Sequence, residues 1–366
     1  MMLTALFPSR TLTLYLARLF VVRILAVLVM LVLVLQSLDL LSQSGNILAH
    51  PGNGQAELGH YVLLRMPQLI ARFLPYSVLL ATIITLATLN QNSEVVSMKA
   101  AGLSAHQVLA PLLVTAVLVS GLSFAFNERV VTRATATLKA WTAVEFGSIP
   151  VNSGVRSNVY LRDGPNILAA ATLTGEGAAM RMDGVTWYRR DAGGMISETV
   201  RAPHATFAAP GWRFDAPVRF EVGTALSAAL PPTVYAKGVT PAQVAISKVD
   251  ADGLSLPQLT QSIAALKAAG RRTSELEGKW WHKISGPLST ALMPLLGAVA
   301  AFGLARSGQL LVRAIIGMAL GFAYFVVDNA ALALGNFGGY TPLLAAWAPF
   351  VLFFLIGETV LVRTEE

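Results

Sequence analysis

The chain has 366 residues, 54% of them hydrophobic and only 13% charged, with a mean hydropathy of +0.60 and a formal net charge of +7. That composition lies outside the range of ordinary globular proteins and points to an integral membrane protein. The absence of cysteine excludes a disulfide framework and a thiolate metal site, and Lys and Arg are scattered at helix ends instead of forming a stripe, which favours anionic lipid over nucleic acid as their partner.

The first apolar run covers residues 12–41, longer than the ~20 residues a helix needs to cross a bilayer, so it should tilt or project at one end. Arg10, Arg18 and Arg23 flank its start, which by the positive-inside rule places the N-terminus in the cytoplasm. No small-residue cleavage pattern follows the run, so it reads as an uncleaved first span. A short outer loop, residues 42–59, is rich in Gly, Asn and Gln. The second span begins around Tyr61 and carries Arg65 and Arg72, seven residues apart and therefore on one helical face toward the outer leaflet. Pro67 and Pro75 should bend or interrupt this half of the helix.

Residues 73–89 and 108–126 carry no charge, and between them lies the polar stretch 90–104. This connector should sit at the cytoplasmic membrane face. Ser93 can cap a helix start, Glu94 suits its positive end, and Gly102 can close it in a left-handed conformation. A helix of about two turns results. On it Val95, Met98 and Gly102 recur at helical spacing and can offer a small, partly apolar face to a partner. The plain alternative is a solvated loop with one helical turn.

Asn127, Glu128, Arg129 and Arg133 mark the exit of the third span, after which the character changes: from Glu145 to Asp252 the chain carries ten basic and ten acidic residues. Turn signals around Asp163-Gly164-Pro165-Asn166, Asp183-Gly184 and Gly193-Gly194 separate short β-type runs at residues 158–161, 184–188, 199–202, 212–214 and 218–222. Such punctuation predicts an antiparallel β domain, a sandwich or jelly roll, placed in the periplasm of a Gram-negative cell. Ser255 and Pro257 then open a surface helix with the stripe Leu259, Ile263 and Leu266. Trp280 and Trp281 mark the water–lipid boundary before a fourth span at about 284–304. Arg306 and Arg313 bracket a turn, a fifth span runs to about 334, and a sixth covers 343–362 before Arg363. The predicted fold is an α-helical membrane protein with six transmembrane helices and an inserted periplasmic antiparallel β domain. Its parts are residues 1–140, 141–253 and 254–366.

Several chemistries have no sequence support. The phosphate-cradling Gly-x4-Gly-Lys-Ser/Thr loop, His-Glu-x-x-His and Gly-x-Ser-x-Gly do not occur, and His50, His60, His106, His204 and His282 show no ligand spacing. No cofactor, metal or catalytic residue is expected. Asp39 and Asp328 are the ionisable groups that an ion-driven carrier would require, but either can equally be a structural partner of Arg65 or Arg72. A chain that moves a solute without a nucleotide site of its own needs an external motor. The connector is then a docking element for an ATPase. The alternatives are a scaffold that anchors a β module and transports nothing, or an ion-driven secondary lipid carrier.

Taken together, the order of three spans, β domain and three spans, with Phe73-Leu74-Pro75 leading to Asn92-Ser93-Glu94-Val95-Val96-Ser97-Met98-Lys99-Ala100-Ala101-Gly102, resembles the YjgP/YjgQ family, the LptF and LptG permeases of the lipopolysaccharide exporter. Ala301-Phe302-Gly303-Leu304-Ala305-Arg306-Ser307, Tyr324-Phe325-Val326-Val327-Asp328-Asn329 and Gly184-Val185-Thr186-Trp187-Tyr188 add to the likeness, and spans four and five look closer to the LptG branch. The resemblance implies an ABC exporter subunit that pairs with an LptF-like permease on an LptB-like ATPase dimer. It extracts lipopolysaccharide from the outer leaflet and hands it to an LptC-like bridge. By the same resemblance Ser93, Glu94, Val95, Met98 and Gly102 form the ATPase-coupling element. Where the family has lysines in span one this chain reads Gln36, Ser42 and Gln43, so Arg65 and Arg72, with Asp39 and Asp328, are the substrate-site candidates.

Overall fold

A computed structural model describes residues 9–143, 145–147, 156–175, 179–191, 193–241, 251–268, 272–302 and 310–363. They fall into two compact units. One, helical, is drawn from Met1–Gly147, Asp250–Ile263 and Arg272–Glu366, and the other from Ser148–Val249 and Ala264–Arg271.

The helical unit opens with α1, Arg10–Ala49, whose Leu12 N–H is accepted by the Ser9 hydroxyl at 3.4 Å. After five residues α2 begins, Gln55–Gln91, with the Glu57 carboxylate accepting the Gly54 N–H at 2.7 Å. The predicted outer loop is therefore much shorter than residues 42–59. Ile47 is fully buried with Tyr61, Leu138, Trp141 and Phe146, and Asn53 donates to the carbonyls of Ile47 and Phe146, both at 2.9 Å. Tertiary packing thus carries α1 helically through Ser42, Gln43 and Ser44, beyond its apolar run. Pro67 and Pro75 both lie inside one continuous α2 and do not interrupt it.

The connector forms α3, Glu94–Ala100, and Ser104 then starts α4, Ala105–Phe126. Ser104 and Gln107 make a reciprocal cap, Gln107 N–H to Ser104 Oγ at 3.2 Å and Ser104 N–H to Gln107 Oε1 at 2.9 Å. A π-helical turn, Asn127–Val131, joins α4 to α5, Thr132–Ala143. After the β unit come a 3₁₀ turn at Ala251–Gly253 and α6, Leu256–Ala268. The remaining helices are α7, Ser274–Phe302, α8, Leu310–Asn336, and α9, Pro342–Arg363.

Among the described residues five helical segments are long and apolar enough to cross a membrane: Arg10–Ala49, Gln55–Gln91, Ala105–Thr142, Ile315–Asn336 and Pro342–Arg363. The predicted fourth span falls on α7 and runs into residues 303–309, outside the described ones, together with the predicted Arg306 turn. In α7, Leu292, Met293, Leu295, Leu296 and Ala298 are buried, as are Ser285, Ser289 and Thr290. A helix enclosed by its neighbours can carry polar groups that a lipid-facing helix cannot. Close approach is made possible by two glycines. A Cβ on Gly321 would lie 2.1 Å from Leu79 Cδ2, and one on Gly297 would lie 2.8 Å from Thr82 Cγ2, so α8 and α7 pack tightly against α2.

In the second unit β1 to β4, Arg156–Asp163, Asn166–Thr174, Arg181–Arg190 and Ile196–Ala208, form an antiparallel meander. The outer edge of the long β4 is shared by β5, Gly211–Asp215, and β6, Val218–Glu221. β7, Leu226–Ala229, pairs with β6, and β8, Thr233–Tyr235, pairs with β5. In a flat sheet β1 and β8 would stand five strand spacings apart, about 24 Å. Yet Asp163 Oδ1 on β1 accepts the N–H of Gly238 just past β8 at 3.0 Å, and its Oδ2 accepts Trp187 Nε1 at 3.1 Å. The sheet is therefore rolled around a single core that contains Val159, Leu168, Met182, Val200, Trp212 and Phe214.

Candidate functional site

Two polar sites occupy opposite ends of the α1–α2 pair, which is antiparallel. At one end is α3. Its C-terminus closes as the spacing of Gly102 predicts: φ is +87°, Gly102 N–H bonds the Lys99 carbonyl at 3.0 Å, and Leu103 N–H bonds the Met98 carbonyl at 3.1 Å. The N-terminus differs from expectation. Ser93 holds the N-cap position but adopts φ +58°, and its side chain makes no capping bond. The predicted partner face is also corrected. Val95 and Met98 are buried in the helical core, because a helix lying along a bundle must bury its apolar positions against its own chain before it can offer anything else. The outward face is instead Val96, 60% exposed, with Ser97, Lys99, Ala100 and Gly102. Glu94, half-buried, accepts the Tyr15 hydroxyl at 3.2 Å and the Asn92 amide at 3.4 Å.

At the opposite end a cavity of about 530 Å³ opens among α2, α4, the π turn, α5, the 3₁₀ turn, α7 and α8. Five cations line it, Arg65, Arg72, Lys139, Lys279 and Lys283, against two carboxylates, Asp252 and Asp328. Arg65 does not stand free: its Nε and Nη2 grip Asp39 Oδ2 and Oδ1 at 3.1 and 3.0 Å, Tyr61 donates to the same carboxylate at 2.6 Å, and Nη1 reaches Gln68 at 2.8 Å. Asp39 is thus the structural partner of Arg65. Asp328, buried, faces His282 Nδ1 at 3.8 Å. Arg72 is exposed and, among the described residues, pairs with neither carboxylate. Gln36 is buried with its amide unpartnered among the described residues.

Sequence reasoning missed the charges that wire this cavity. The π turn inserts one extra residue per helical turn, and Glu128, which lies in it, accepts Lys283 Nζ at 3.1 Å and the Leu256 N–H at 2.7 Å. Asp252 sits between Lys279 at 3.1 Å and Lys139 at 3.4 Å. Desolvation pushes the Asp252 carboxyl up, but the two ammonium groups outweigh it and hold the group below the usual carboxylate range. Lys279 and Lys283, four apart beside the Trp pair, were the available signal, since two lysines one turn apart at the head of an apolar run require counter-ions. Among the described residues no group of three His, Cys, Asp or Glu could hold a metal ion.

The chain is similar over most of its length to proteins of known family. A family model described as "Lipopolysaccharide export system permease LptF/LptG" matches residues 14–363. The lipopolysaccharide export system permease protein LptG of Escherichia coli K12 is 26% identical over 311 residues, 83% of this chain and 85% of that protein. The protein of the same name from Haemophilus influenzae is 23% identical over 325 residues, 86% of this chain and 89% of its own length.

Proposed function

The chain belongs to the LptF/LptG family of lipopolysaccharide export system permeases, a transport component and not an enzyme, and from that premise we propose that it is the LptG-like half of an ABC exporter. In this reading it pairs with an LptF-like permease and sits on an LptB-like ATPase dimer through α3. It takes lipopolysaccharide from the outer leaflet of the inner membrane and passes it toward an LptC-like bridge. Both termini are cytoplasmic and the β unit is periplasmic, an orientation supported by Arg10, Arg18 and Arg23 at one end of α1 and by Arg363 after α9.

The observation that carries the proposal is the exposed face of α3, held rigidly by Val95, Met98 and the Gly102 closure on a chain with no nucleotide-binding loop. Arg72, the cavity guanidinium without a carboxylate partner among the described residues, fits a phosphate of the lipid, since guanidinium pairs with phosphate bidentately. Pairing of Asp39 with Arg65 speaks against the ion-driven carrier. The test is reconstitution in vesicles with the partner subunits. Glu94→Ala and Glu94→Lys should abolish ATP-dependent lipopolysaccharide release while the protein still inserts, and undiminished release would remove the coupling role.

A further inference from the structure

The first turns of α1 bear a tyrosine that the proposed function does not use. Tyr15 is flanked by Leu16, which is fully buried in the core shared with Val95 and Met98, yet its own ring is 45% exposed. Its hydroxyl donates to both oxygens of Glu94, at 3.2 and 3.4 Å. Two turns along, Arg23 Nη1 donates to the Ile84 carbonyl of α2 at 3.1 Å. The bulk of α3 packs on α2 and α4, so the Tyr15 hydroxyl is a direct polar tie from α3 to α1. A carboxylate oxygen has lone pairs to spare after accepting one hydroxyl, so Glu94 can take a donor from a docked protein without releasing Tyr15.

We propose that Tyr15 is a positioning residue for Glu94 and the contact through which displacement of α3 reaches α1. The proposal rests on the reading of α3 as the ATPase-docking element. A tyrosine suits this task because the rigid ring sets the hydroxyl far from its own backbone with only two side-chain torsions to fix. Phenylalanine keeps the ring and loses only the bond.

The experiment uses the reconstituted exporter complex, with the other subunits free of cysteine and this chain, itself cysteine-free, spin-labelled at Leu14→Cys and at Ala101→Cys, which lies off the docking face of α3. Both parent residues are exposed. With Tyr15 present, the label distance should be narrow and should stay the same on ATP binding, because α3 and α1 move together. In Tyr15→Phe the distribution should broaden and lipopolysaccharide released per ATP should fall about fivefold, the equilibrium weight of one net hydrogen bond, with ATP hydrolysis kept within about twofold. An unchanged distance distribution with unchanged release per ATP in Tyr15→Phe overturns the inference. If Glu94→Ala abolishes release while Tyr15→Phe behaves as the parent, the docking role of α3 stands and the inference about Tyr15 fails. Absence of ATP-dependent release in the unsubstituted complex removes both.

Discussion

Replacing Glu128 by alanine would free the start of α6. The carboxylate is 16% exposed and its partner Lys283 10%, so both bonds are made largely away from water. The Leu256 N–H, at 2.7 Å, is one of the first donors of α6 and has this carboxylate as its acceptor. A hydrogen bond to a charged group contributes about 1.5–3 kcal/mol, which corresponds to a roughly 10- to 150-fold change in the opening equilibrium of that segment. Leaving the Lys283 ammonium without its counter-ion raises the total cost to about 3–5 kcal/mol. Hydrogen–deuterium exchange of the protein in lipid nanodiscs, read on a peptide covering residues 251–260, measures the local part directly. Glu128→Ala should accelerate exchange there by the factor given. Glu128→Gln, which keeps a neutral acceptor, should fall between, and Lys283→Met should leave the peptide close to the parent rate because the bond to Leu256 survives. Parent-like exchange in Glu128→Ala, or equal acceleration by Lys283→Met, would refute the claim that this carboxylate holds the returning chain.

The Asp252 ion pairs should respond to acid. Because its folded pKa lies below the ordinary carboxylate value, the stabilisation is complete above the unfolded value of about 3.9 and is lost as the pH falls through the depressed folded value. The gap in melting temperature between the parent and Asp252→Asn should therefore stay constant from neutral pH to about 5 and close below about 4; a gap that closes near pH 6 would assign the effect to another group. Gly321→Ala should cost about 1–3 kcal/mol through overpacking on Leu79, and the cost should shrink in a Leu79→Ala background. Equal penalties in both backgrounds, measured by thermal unfolding, would place the strain elsewhere.

Helix positions and the polar connector were legible because long uncharged runs and Gly102 report on local physics. The Ser93 backbone conformation was not, since a serine in the N-cap position normally reads as a side-chain cap. Nor was the inward turn of Val95 and Met98: spacing shows that they share a face, not what that face meets. Arg65 and Arg72 illustrate the same limit, because their periodicity is alike while only one of them finds a carboxylate on α1. In the β unit the turn at Gly164-Pro165 is where β1 passes to β2, but β2 itself, with Ala169-Ala170-Ala171 at its centre and its β-branched residues confined to Ile167, Thr172 and Thr174 near its ends, lacks the alternation that marks a strand. Its pairing with β1 and β3 overrides a composition better suited to a helix. The π turn left no period to find, since one inserted residue shifts the pattern by less than the spacing of apolar residues can resolve.

At 40 residues, α1 is about 60 Å long, twice the roughly 30 Å of hydrocarbon it has to cross. Such a rod would work as a lever if it pivoted within the membrane. A rotation of about 5° about its midpoint would move the Tyr15 end and the far end through about 3 Å in opposite directions, and Asp39, clasped by Arg65, would carry α2 along with it.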